Sequence, residues 1–141
     1  MATFAERLTE LMIEKDISAI NLAAVLGVHK STVHDWKNGT QIFLSKALKV
    51  AKFFECSLDY LMGRIEFDSP FIPKNCPPFY PHFMSVLEEC GVTTYRLRTD
   101  THIKGAYFDN WKNGTDPLMP TLIVVADYLK VSLDHLVGLD S

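Results

Sequence analysis

The sequence predicts an all-α protein built from two tandem five-helix units joined by a proline-rich connector. Three observations carry that expectation. Sliding the 141-residue chain by 75 positions aligns 4–63 with 79–138 without a gap and lays WKNGT at 36–40 onto WKNGT at 111–115. Between 36–63 and 111–138, twelve of 28 positions are identical, where composition alone gives about two. Apolar residues step by four, three and one at Phe4, Leu8, Leu11 and Met12, and again at Phe79, Phe83, Val86 and Leu87, which is the spacing of one buried helix face. No segment alternates with the period of a strand.

Punctuation places each element of the first copy. Thr3 caps a first helix that runs to about residue 15, and Ser18 caps a second that ends at Gly27. A third helix is expected over 30–38, stopping at Gly39, and a fourth over 44–55 with Ala47, Leu48, Ala51 and Phe54 inward. Ser57 caps a short fifth helix, with Asp59 in its first turn opposing the positive end of the helix dipole. The second copy follows, with Pro81, Pro117 and Pro120 near helix starts, where proline is tolerated. Boundaries are expected at 1–65 and 79–141. Pro70, Pro73, Pro77 and Pro78 make the intervening 66–78 an extended connector, able to span on the order of 40 Å. Trp36 and Trp111, the chain's two tryptophans, fall at buried seam positions and are core anchors.

Composition narrows the function classes. Hydrophobic residues make up 48% and net charge is −3, a balance suited to a folded core and not to bulk coating of nucleic acid. Charge is uneven: 1–65 holds eight Lys/Arg against seven Asp/Glu, whereas 79–141 holds five against eight, so the first copy is the better partner for a polyanion. The longest aliphatic run, LIVVA at 122–126, is too short to cross a bilayer, and the first twelve residues lack a leader pattern. A cytoplasmic protein with no membrane partner is expected. Cys56, Cys76 and Cys90 form no C-x-x-C pair and the five histidines are isolated, so neither a metal nor another cofactor is expected. There is no glycine-rich phosphate loop and no nucleophile elbow, which argues against an enzyme.

The informative stretch is AINLAAVLGVHKSTVHDWKNG, residues 19–39. Leu22, Val28, Val33 and Trp36 let two helices share an apolar seam, Ala23 is small at their closest crossing, and Gly27 permits a sharp reversal. Together with the trailing NG, the VA of the fourth helix and the closing SLDYLMG, this resembles the Cro and lambda-repressor family of helix-turn-helix regulators (Xre-like), over essentially the whole of each repeat. The resemblance implies that the third helix enters the major groove of an operator and that flanking elements grip phosphates. Carried over by position, His29, Lys30, Ser31, Thr32, His34 and Asp35 face the groove, Lys37 adds charge near the backbone and Asn38 contacts phosphate. Lys30 suits guanine O6/N7 or phosphate, and the hydroxyls suit either class of acceptor. Ala19 departs from the glutamine that many relatives carry at the start of the second helix.

The second copy, TYRLRTDTHIKGAYFDNWKNG at 94–114, keeps the seam with Leu97, Ile103, Phe108 and Trp111. Arg98 replaces the small crossing residue and His102 the turn glycine; the arginine can snorkel outward and the histidine can hold the turn at some strain. Its candidate DNA face is Lys104, Tyr107, Asn110, Lys112 and Asn113. The resemblance thus implies a transcriptional regulator of the repressor type that binds double-stranded DNA chiefly through the first repeat, as a homodimer or as an intramolecular pseudo-dimer on unlike half-sites. The rival is a protein-interaction module, serving dimerisation or an antitoxin-like partner, in which the second repeat does not touch DNA.

Overall fold

The computed structural model describes residues 2–66 and 76–139, and every regular element among them is a helix. Contacts divide the chain into two compact units, Met1–Pro73 and Lys74–Ser141. Of the expected connector, residues 67–75 lie outside the described residues.

The first unit comprises α1 (Phe4–Lys15), α2 (Ala19–Leu26), α3 (Lys30–Lys37), α4 (Leu44–Phe54) and α5 (Leu58–Leu61). Local chemistry sets the boundaries. Thr3 and Glu6 form a reciprocal capping box: the Thr3 hydroxyl accepts from the Glu6 N–H, and the Glu6 carboxylate accepts from the Thr3 N–H. The Ser18 and Ser57 hydroxyls accept from Asn21 and Tyr60 N–H groups at the starts of α2 and α5. α3 ends one residue earlier than expected, with Asn38 as its C-cap, and α4 ends at Phe54 because Glu55 turns left-handed at φ 52°. The core gathers Leu8, Leu22, Val33, Trp36, Ala47, Val50, Leu58 and Leu61, each larger side chain contributing about 1.5–3 kcal/mol by leaving water. Leu48, expected inward, is only half-buried, while Val50, three residues after the buried Ala47 and so on its face, is fully buried.

The second unit repeats this order as α6 (Phe79–Cys90), α7 (Thr94–Thr101), α8 (Gly105–Lys112), α9 (Met119–Leu129) and α10 (Leu133–Val137). Equivalence extends to individual hydrogen bonds. In the first WKNGT, Asn38 N–H reaches the His34 and Asp35 carbonyls and Thr40 N–H the Asp35 carbonyl; in the second, Asn113 N–H reaches Asp109 and Asn110 and Thr115 N–H reaches Asn110. The closing glycines match too: a Cβ on Gly63 would collide with the Ala2 carbonyl, and one on Gly138 would lie 2.8 Å from the Pro77 ring, so each repeat brings its end against its own start. What differs is the filling. Leu8 and Val33 give way to Phe83 and Phe108, which with Phe79 and Trp111 form an aromatic cluster with ring centroids 5.3–6.1 Å apart; edge and stacked pairs of this kind add to simple burial.

Candidate nucleic-acid interface

α2 and α3 of the first unit meet across the seam expected from sequence: Leu22, Val33 and Trp36 are buried and Val28 is half-buried. Burying Val33 and Trp36 fixes the rotation of α3, since residues three and four apart share a face. Lys30, Ser31, His34, Asp35 and Asn38 therefore fall on the opposite, exposed arc, and His29 is exposed at its head. Thr32 and Lys37 flank the buried face and are half-buried. Lys37 shares a shallow depression with Ala5, Glu6, Thr9 and Glu10 of α1, so its charge sits beside two carboxylates at the edge of the arc rather than at its centre.

The leading turn of α3 is held by a side chain that sequence reading had placed only as a groove contact. His29 is the N-cap: its Nδ1 accepts from the Ser31 N–H at 3.1 Å and lies 2.8 Å from the Ser31 hydroxyl. The Ser31 N–H thus finds a side-chain acceptor within the leading turn itself. The turn before it is Gly27, left-handed at φ 73°.

In the second unit Leu97, Ile103, Phe108 and Trp111 are buried, while Lys104, Tyr107, Asn110, Lys112 and Asn113 are all exposed. Lys104 is the N-cap of α8 but supplies no side-chain cap bond. His102 occupies the place of Gly27 at φ 63°. Arg98 is exposed, its guanidinium 5.3 Å from the Tyr95 ring, and a Cβ on Gly105 would lie 2.9 Å from one of its nitrogens. Tyr107, Val124, Pro120 and Ile103 border a shallow groove beside the turn; the corresponding first-unit positions are Thr32, Lys49, Ser45 and Val28, a far more polar set.

Sequence reasoning missed the clamp at the end of the first unit. Arg7 is buried, stacks 4.1 Å from the Tyr60 ring and donates to the Ile65 carbonyl at 2.9 Å. Asp59, read as a dipole partner, is also buried and paired with Arg64. The helical pattern could have signalled Arg7, since it stands between the inward Phe4 and Leu8. In the second unit His82 takes its place, its Nε2 2.8 Å from the His135 carbonyl oxygen.

Among the described residues no helix is long and apolar enough to cross a membrane, and no cluster of three or more His, Cys, Asp or Glu could hold a metal ion. Neither curated proteins nor solved structures match the chain. A family model, that of the Cro/C1-type HTH DNA-binding domain, does match residues 7–66, which span α2, α3, the turn between them and the flanking helices.

Proposed function

We propose that the chain is a sequence-specific transcriptional regulator of the repressor type that acts by occupying an operator, with α3 of the first unit as the main reader. The observation that carries this reading is the exposed arc of Lys30, Ser31, His34, Asp35 and Asn38, set opposite the buried Val33 and Trp36 within the Cro/C1-type HTH domain. Lysine and hydroxyl groups on the leading turn offer donors to guanine O6/N7 and to phosphate. The second unit lends the proposal its tandem form, two readers on one chain addressing two half-sites about 34 Å apart, one duplex turn, with tethering raising the effective concentration of the second.

Replacing Lys30, Ser31 and Thr32 together by alanine tests the reading. Duplex binding by the full chain is expected to be abolished with little change in the melting curve, and unaltered affinity would remove α3 from the interface. For the parent chain, about four neutralised phosphates predict a slope near −3.6 for log affinity against log salt. A flat response would favour the interaction-module alternative.

A further inference from the structure

We propose that the second unit reads a G·C base pair from the major groove, with Arg98 of α7 as the guanine donor and Asp109 of α8 as the cytosine acceptor. The inference rests on the duplex-binding reading above and deepens it. It begins with a paired exchange between the repeats. Where the first unit has Ala23 and Lys30, the second has Arg98 and Gly105. Ala23 is buried beneath the start of α3 and Lys30 projects from that start. In the second unit the cation has moved to the preceding helix, and the residue it passes over has lost its side chain. Any Cβ at 105 would lie 2.9 Å from a guanidinium nitrogen and 3.2 Å from Cδ. The glycine leaves the arginine room at that place, and a positive charge stands near the head of the helix in both units.

The surroundings of Arg98 suit a base edge better than a phosphate. Thr94, Tyr95, Arg98, Gly105, Phe108 and Asp109 line one open groove between α7 and α8. The guanidinium rests on the Tyr95 ring, a contact that orients it without using its N–H donors, and the ion pairs found among the described residues do not involve it. Asp109 stands on another wall of the same groove. A phosphate entering there would meet the guanidinium and be repelled by the carboxylate. The major-groove edge of a G·C pair needs both: guanine presents O6 and N7 as acceptors to a bidentate arginine, and cytosine presents its N4 amino group as a donor to a carboxylate. This also accommodates the acidic balance of the second unit, because base reading there does not call for net positive charge when the first unit is tethered to the same duplex.

The test is selection of bound duplexes from a random pool by the full chain, its Arg98→Ala variant and its Asp109→Asn variant. The parent chain is expected to enrich a composite site with two informative halves. Arg98→Ala, which installs the residue the first unit already tolerates, is expected to erase a guanine preference in one half while leaving the other intact. Asp109→Asn is expected to relax the preference at the same pair, and a change confined to another pair would remove Asp109 from the proposed contact. Replacing that guanine by 7-deazaguanine should weaken the parent chain by about five- to 150-fold and leave Arg98→Ala unaffected. A parent chain that enriches only one half, or an Arg98→Ala variant with unchanged preference, would overturn the inference while the first unit stood as a reader. Enrichment of no sequence at all would overturn both.

Discussion

The turn between the second and third helices of each repeat offers a reciprocal test of the backbone. Gly27 holds φ 73°, ψ 32° and His102 holds φ 63°, ψ 15° at the equivalent step. A Cβ on Gly27 would meet nothing within 4 Å, so Gly27→Ala isolates the conformational cost of an L residue there. That cost is about 1–2 kcal/mol, and the stiffer unfolded chain of alanine offsets about 0.4–1 kcal/mol of it. The net expectation is a loss of up to about 1.6 kcal/mol, equivalent to at most roughly 13 °C in Tm for a unit of this size. His102→Gly should gain a comparable amount. The assay is urea unfolding followed by tryptophan fluorescence in a Trp111→Phe background for the first change and a Trp36→Phe background for the second, since the chain then carries a single tryptophan, in the unit under test. The midpoint should shift at constant slope. A loss beyond about 3 kcal/mol in Gly27→Ala would mean that packing and not φ decides the position; no loss in Gly27→Ala together with no gain in His102→Gly would mean that the turn is not left-handed.

Three further outcomes follow from the packing and the charges. Trp36 is 3% exposed with its ring edge against Phe4, so Trp36→Ala should cost about 3–5 kcal/mol, and circular dichroism should show the first unit largely unfolded. Arg7→Met keeps the stem but loses the charged hydrogen bond to the Ile65 carbonyl, for an expected loss of about 1.5–3 kcal/mol in urea unfolding. The Tyr128 hydroxyl donates to Asp100 and holds its carboxyl below the usual range, aided by the Arg96 ion pair, while the same bond holds the Tyr128 phenol above its own. A depressed carboxylate contributes stability above its unfolded pKa and a raised phenol below its unfolded pKa, so Tyr128→Phe should be less stable than the parent between about pH 4 and pH 10 and converge with it at both extremes.

How much was legible in the sequence depended on whether a residue's role was local or distant. Caps at Thr3, Ser18 and Ser57 could be placed because each involves a hydroxyl and an amide two or three positions on. The seam could be placed because helical period alone turns Val33 and Trp36 to one side. For Arg7 the period marks an inward position, three residues after Phe4 and four before Leu11, but not its partners: Tyr60 and the Ile65 carbonyl lie more than fifty residues away, and no spacing rule connects them. Lys37 shows a subtler limit: it has the right charge on the right helix, yet the rotation imposed by Trp36 carries it toward Glu6 and Glu10. His29 was placed in the leading turn, but its capping bond to Ser31 depends on a side-chain rotation that sequence does not encode.

The two repeats keep what folding needs and change what a reader would use. Between α3 and α8 the buried positions stay apolar, Val33 against Phe108 and Trp36 against Trp111, while the exposed ones at 30, 31, 34 and 35 all differ from those at 105, 106, 109 and 110. In the second unit Arg98 lies over Gly105, where a side chain would crowd its guanidinium, and rests on the Tyr95 ring. Two identical readers would suit a palindrome, as dimeric helix-turn-helix proteins do. Under the proposed function, two readers with unlike arcs on one chain suit an asymmetric operator, and the orientation of the chain on that operator is then set by which half each arc prefers.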